Sequence, residues 1–258
     1  MKTVYGPVAS WRLGRSLGVD PICRKLKICS FDCIYCQLGK TRKKIIQRKK
    51  FVSLARIKRD VEEVLPKVKD RTDIITFSGT SEPTLAENLE EIIDFLRGTT
   101  DLPLAILTNS SLLFKEEVRK VLYKLNKVVA KLDAPNQEVL EKINGPAEGI
   151  TFEKIMKGIK EFRKDYRGEF ALQIMFVKKN KEFASDIAKV AREINPDEVE
   201  INTPLRPPLG EPLNKKEIRE IKEKFRGLKK VITVYEVKKP NVIPLDLREV
   251  QKRKRPTL

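Results

Sequence analysis

The chain has 258 residues, 40% of them apolar and 35% charged, with 54 lysines and arginines against 36 acids for a formal charge of +18. That length suffices for one large domain with a well-buried core. The absence of histidine excludes histidine acid-base catalysis, zinc-histidine hydrolysis and serine-histidine triads. No apolar run approaches the roughly 20 residues of a membrane-spanning helix, and the first ten residues lack a signal-peptide pattern, so a cytoplasmic protein without a membrane partner is expected.

Along the chain, short β-rich runs alternate with longer segments of helical period. The first predicted strand, 13–19, ends at Asp20 and is followed by all four cysteines, Cys23, Cys29, Cys33 and Cys36. With no distant partner for a disulfide, such a cluster points to metal. Next comes a basic run, 40–50, with seven lysines and arginines and no acid. Apolar spacings of three and four predict helices over 54–68, 85–97, 114–125, 152–162, 183–194 and 215–225. Between them, strands are expected over 74–78, 104–108, 128–132, 170–177 and 199–202, with another near 231–235.

Strand-helix alternation with helix-length connections implies right-handed crossovers and a parallel sheet, closed or partly closed like a barrel. Reacting groups in such folds gather at the carboxyl ends of the strands. The loops there hold Asp20 and the cysteines, the turn 79–84, Asn109, Asp133, Asn180 and the stretch from Asn202. Residues 1–240 are expected to form this unit and 241–258 a basic carboxyl-terminal extension.

Cys29, Cys33 and Cys36 have the spacing C-x3-C-x2-C. Thiolates select iron-sulfur clusters or zinc over hard cations. Adding Cys23 would complete a four-thiolate zinc site, the basis of an alternative reading as a non-catalytic nucleic-acid-binding protein, although structural zinc sites usually take two close pairs. Three ligands instead leave one iron of a four-iron cluster open to a small molecule.

The spacing, with Tyr35 just before the last cysteine, resembles the signature of the radical S-adenosylmethionine superfamily, whose fold is a partial or full (β/α) barrel. The resemblance implies an α/β partial (β/α)6 barrel with short terminal extensions. It also implies a [4Fe-4S] cluster on Cys29, Cys33 and Cys36, and S-adenosylmethionine bound at the open iron and split to a 5'-deoxyadenosyl radical. An electron donor such as ferredoxin or flavodoxin is implied as well. Tyr35 would lie beside the adenine. Gly79 and Glu82 stand where the superfamily has a Gly-Gly-Glu type motif for the amino group, with looser spacing. Asn109, Lys131, Asp133, Asn180, Asn202 and Thr203 are placed by analogy as further contacts.

Further stretches are similar to the group of wyosine-forming tRNA enzymes: Tyr5-Gly6-Pro7-Val8, the run from Arg12 to Asp20, 29–39, Leu132-Asp133-Ala134, and Asn202-Thr203-Pro204-Leu205-Arg206-Pro207-Pro208. A tRNA or other RNA partner fits the charge. The 4-demethylwyosine synthases carry further cysteines for a second cluster, whereas here only Cys23 remains, and one thiolate cannot hold another. A radical reaction on a protein or a small molecule is the alternative.

Overall fold

The computed structural model describes residues 1–205 and 211–253. Positions 206–208 of the resemblance motif and the last residues of the basic tail lie outside them. In chain order the strands are β1 (Val4–Ser10), β2 (Gly14–Val19), β3 (Ile28–Cys29), β4 (Lys43–Lys44), β5 (Ile74–Phe77), β6 (Leu104–Thr108), β7 (Lys127–Lys131), β8 (Glu169–Met175), β9 (Glu198–Asn202) and β10 (Val231–Thr233). The helices are α1 (Leu54–Val68), α2 (Leu89–Thr99), α3 (Glu116–Leu122), α4 (Gln137–Asn144), α5 (Phe152–Asp165), α6 (Ala184–Ile194), α7 (Lys215–Lys224) and α8 (Leu247–Gln251).

Eight strands form one open, curled sheet in the order β1-β2-β5-β6-β7-β8-β9-β10. Only the β1-β2 pair is antiparallel; every other pairing is parallel. This is a partial barrel of the expected (β/α) kind. β3 and β4 make a separate two-stranded parallel ladder.

Strand period two divides the sheet's faces. Leu17, Val19, Ile75, Phe77, Ile106, Val128, Phe170, Leu172, Ile174, Val199 and Ile201 join the main core. There they meet the apolar stripes of the helices, such as Ile57, Val61, Val64 and Val68 of α1. The alternate residues face the concave side and are mixed: Ser16, Thr76, Lys127, Lys131, Gln173, Glu198 and Glu200 are all buried or half-buried there, beside a small apolar cluster of Leu13, Ile74, Ala105 and Leu107.

Three differences from the sequence expectations have local causes. β1 was not expected; its register with β2 runs from Val4 opposite Val19 to Ser10 opposite Gly14. The helix expected from residue 85 starts only at Leu89. Pro83–Leu85 forms a 3-10 turn, and the backbone at Leu85 and Glu87 is bonded to Lys49 instead. α4 is an additional helix, capped by the Asn136 side chain on Val139 N and ended by Gly145 in the left-handed region, the punctuation expected of a helix.

Candidate active site

The cysteines occupy a loop fastened on several sides. Cys29 ends β3, whose ladder sets Cys29 opposite Lys44 of β4. Ala147 N donates to Ser30 O at 2.8 Å, Asp32 N to Asn144 O at 2.8 Å and Ile34 N to Ile143 O at 3.0 Å, tying the loop to the end of α4. Phe31, between the first two cysteines, is buried in the core. Such anchoring holds three sulfurs on one short segment without any being covalently paired.

The surroundings suit anionic sulfur. Asn144 Nδ2 lies 3.4 Å from Cys33 Sγ, and Asn109 Nδ2 lies 3.7 Å from Cys29 Sγ while donating to Ser30 Oγ at 2.8 Å. Lys27 is buried and donates to Gly39 O at 3.1 Å. Burial opposes its charge, but the sulfurs of Cys36, Cys29 and Cys33 more than offset that and hold its pKa above the ordinary lysine value. Burial likewise pushes the Cys33 thiol up to about 12 and the Cys29 thiol upward, so a bound metal's charge is what would keep them as thiolates. These three cysteines therefore fit an iron-sulfur cluster by donor type and by the N–H groups aimed at them.

Cys23 stands apart. Its Sγ is 3.4 Å from Lys2 O and 3.7 Å from Arg253 Nη2. Among the described residues no group of three or more Cys, Asp or Glu converges on a single ion position.

Beside the loop, Asp133 is a hub at the end of β7. Its Oδ2 accepts from the Tyr35 hydroxyl and from Asn144 Nδ2 at 2.8 Å, and lies 3.7 Å from Lys131 Nζ. Its Oδ1 accepts from Met175 N at 2.7 Å. Burial, then the Asp133 charge, push the Tyr35 phenol well above its ordinary value, so Tyr35 stays a donor. Lys131 sits 5.2 Å over the Tyr35 ring and donates to Gln173 Oε1 at 2.6 Å. Asn180 stands behind the hub, donating to Asp133 O at 2.9 Å and to Met175 O at 3.0 Å. A recess here is lined by Phe31, Asn109, Lys131, Asp133, Ala134 and Asn144 among others.

The turn after β5 is built differently. Gly79 has φ +153°, and an added Cβ would overlap the Asp20 carboxylate, so glycine is required by close approach. Glu82 is buried and accepts four internal hydrogen bonds, from Thr84 N, Thr84 Oγ1, Thr108 Oγ1 and Asn109 N, at 2.6–3.1 Å. Burial raises its pKa while those donors oppose the rise. Its carboxylate thus already fixes the end of β6 and the Asn109 backbone.

Asn202 ends β9 opposite Met175, the residue whose N–H reaches Asp133, and Thr203 follows it. Asn202 Oδ1 accepts from Thr203 N at 2.9 Å, and Thr203 Oγ1 accepts from Leu213 N at 2.9 Å. The structure therefore brings Tyr35, Asn109, Lys131, Asp133 and Asn180 to the cysteines, sets Gly79 and Glu82 as supports, and places Asn202 at the end of β9 beside the Met175 that Asp133 holds, with Thr203 just beyond it. Sequence reasoning missed Lys27 and Asn144. The helix punctuation of Asn136 and Gly145 was the signal for α4, which carries Asn144.

Asp20 is held by the chain's far end. Its Oδ1 accepts from Cys23 N at 2.8 Å and its Oδ2 from Thr80 N at 3.0 Å and Arg253 Nε at 3.3 Å. Arg253, buried, also lies 4.2 Å over the Tyr5 ring. The basic run divides as well. Arg48 is spent on the carbonyls of Thr84 and Ala86 at 3.0 Å each, and Lys50 pairs with Glu91 at 3.2 Å, whereas Lys40, Arg42 and Lys43 are exposed.

Residues 25–194 match the Radical SAM superfamily. A UPF0026 protein from Methanocaldococcus jannaschii is 39% identical over 212 residues, 81% of this chain and 65% of that protein. The chain thus spans about two thirds of that relative's length. Among solved structures, Streptococcus suis SuiB bound to S-adenosylmethionine superposes with TM-score 0.63 at 15% identity, covering 86% of this chain and 50% of SuiB. Archaeal TYW1 superposes with TM-score 0.54 at 16% identity, covering 83% of this chain and 72% of that one. These distant likenesses concern the fold. The family match spans the cysteine loop and the strands that support it, and it overturns the non-catalytic alternative: the chain belongs to the radical SAM superfamily of enzymes.

Proposed function

We propose that Cys29, Cys33 and Cys36 hold a [4Fe-4S] cluster that binds and reductively splits S-adenosylmethionine, and that the substrate is RNA, as in the wyosine-forming tRNA enzymes. When bound, the cluster and S-adenosylmethionine supply a 5'-deoxyadenosyl radical. The chain's own part is positional. Asn109 and Asn144 direct N–H groups at two sulfurs, and Asp133 fixes Tyr35 and Lys131 beside them. Cys29, Phe31 and Tyr35 of the loop are buried, whereas Cys33 and Cys36 are half-buried on its open side.

The observation that carries the RNA reading is a ladder: Cys29 pairs with Lys44, and Ile28 with Lys43. A basic strand therefore flanks the cluster loop, where phosphates of a bound nucleic acid would be neutralised. Reduction draws on a donor such as ferredoxin or flavodoxin. Anaerobic reconstitution with iron and sulfide, then assay for 5'-deoxyadenosine under reductant, tests the chemistry; absence of both cleavage and iron-type absorbance overturns it. Comparing tRNA nucleosides from cells with and without the gene tests the substrate. An unchanged nucleoside profile counts against RNA.

A further inference from the structure

The concave face carries a second polar feature that the cluster chemistry leaves unused. Strand register sets Lys131 beside Gln173 and Gln173 beside Glu200, a continuous row across β7, β8 and β9. Their strand neighbours Ala130, Leu172, Ile174, Val199 and Ile201 belong to the apolar core, so the row points into the barrel. Arg12, from the turn joining β1 and β2, completes it: its Nη1 lies 3.5 Å from Glu200 Oε2.

Buried polar groups are nearly always hydrogen-bonded, and exceptions need a reason. Here three such atoms lack a hydrogen bond, Arg12 Nε, Gln173 Nε2 and Glu200 Oε1, although Lys127 Nζ stands 3.8 Å from Glu200 Oε1. Gln173 is 5% exposed and Glu200 fully buried. Two donors and one acceptor on one face thus have hydrogen-bonding capacity unused. The row begins at Lys131, which is shared with the Asp133 hub beside the cysteines.

We infer that the row formed by Lys131, Gln173, Glu200 and Arg12 is a recognition site for a neutral amide-type edge of the substrate, a C=O acceptor beside an N–H donor. The C=O accepts from Gln173 Nε2 and Arg12 Nε, and the N–H donates to Glu200 Oε1. A phosphate or carboxylate satisfies the donors but meets the Glu200 carboxylate with like charge. A site built on buried polar atoms discriminates strongly against ligands that leave those atoms unpaired. Lactam nucleobases and carboxamide side chains share this edge. The inference rests on the concave side of the cluster being the substrate side, and not on the substrate being RNA.

The groups facing Glu200 are Arg12, Lys127 of β7 and Glu198 on its own strand. Burial first, opposed by Arg12 and Lys127, raises the Glu200 carboxyl to about 7. Capture of a donor therefore weakens as pH falls below that value.

Calorimetric titration of the reconstituted, S-adenosylmethionine-loaded protein tests this. The probes are inosine, which carries the lactam edge on a base, and N-acetylasparagine amide, which carries a carboxamide; ribose 5-phosphate and acetate are the controls. At least one amide probe binds, the controls do not, and Glu200→Gln and Gln173→Met each weaken the binding about tenfold or more. The wild-type affinity falls between pH 8 and 6, whereas Glu200→Gln shows no such fall. Binding of inosine alone identifies a base, and binding of the asparagine amide alone identifies a peptide-type carboxamide; both support the site. No binding by either amide probe, control binding as tight as theirs, or amide binding unchanged in both variants overturns it. 5'-Deoxyadenosine formation in the same preparations reports separately on the proposed function.

Discussion

The two faces of the parallel sheet use the same strands for opposite purposes. On β9, Val199 and Ile201 are fully buried among helix side chains, while Glu198 and Glu200, one residue away, are buried against Lys127 and Arg12. The convex face is a continuous apolar layer that closes against six helices of the expected spacing, and its groups need no partners beyond contact. The concave face keeps ionisable and amide groups at similar burial, and leaves some of their atoms unpaired. Most apolar burial thus lies on one face, and the groups suited to selecting a ligand lie on the other, next to a smaller apolar cluster of Leu13, Ile74, Ala105 and Leu107.

The largest effect expected is the loss of chemistry without loss of fold. Cys33→Ala removes iron-type absorbance and 5'-deoxyadenosine formation entirely while the far-ultraviolet circular dichroism spectrum is retained. A variant that unfolds would show that the loop is part of the core and weaken the distinction between the faces.

Next in size, Ile201→Ala opens a cavity in the convex layer and lowers unfolding free energy by about 2–5 kcal/mol in denaturant titration. Its neighbour should respond in the other direction. Glu200 has a carboxyl raised from 4.5 to about 7, chiefly by burial. Between those values the folded chain holds a proton that the unfolded chain has released. Its contribution is full below pH 4.5 and is lost as pH rises through 7. Glu200→Gln therefore stabilises the protein above pH 7 by up to about 3 kcal/mol and flattens the pH dependence of melting; equal melting curves for variant and parent at pH 8 would break the comparison.

The smallest effect belongs to the rim. Replacing exposed Arg42 and Lys43 together by alanine weakens tRNA binding about tenfold and lowers the salt slope by about 2, with melting unchanged. Retention of affinity at every salt concentration would separate the basic strand from substrate binding.

Much of the convex face was legible in advance because apolar spacing reports which side of an element is covered. Helix α1 matches its expected bounds, 54–68, since Ser53 caps Arg56 N and its stripe from Ile57 to Val68 is regular. Helix α2 began later than expected because the competitor for its first backbone groups, Lys49, lies in another segment. β1 escaped notice because its apolar alternation is broken by Gly6 and Pro7, with the bulge between Tyr5 and Val8.

The site divided in the same way. A donor set within eight residues, Cys29 to Cys36, is a local property, and so was readable from spacing and residue type. The partners of that set are not local. Asn144 reaches Cys33 across 111 positions, Tyr35 reaches Asp133 across 98, and Arg12 reaches Glu200 across 188. Such pairs depend on strand order and register, which are settled by the packing of the whole sheet. Residue type and spacing reveal which atoms are able to hold a metal and which faces must be covered, whereas strand order and packing settle which buried polar groups find hydrogen bonds and which face the barrel without them.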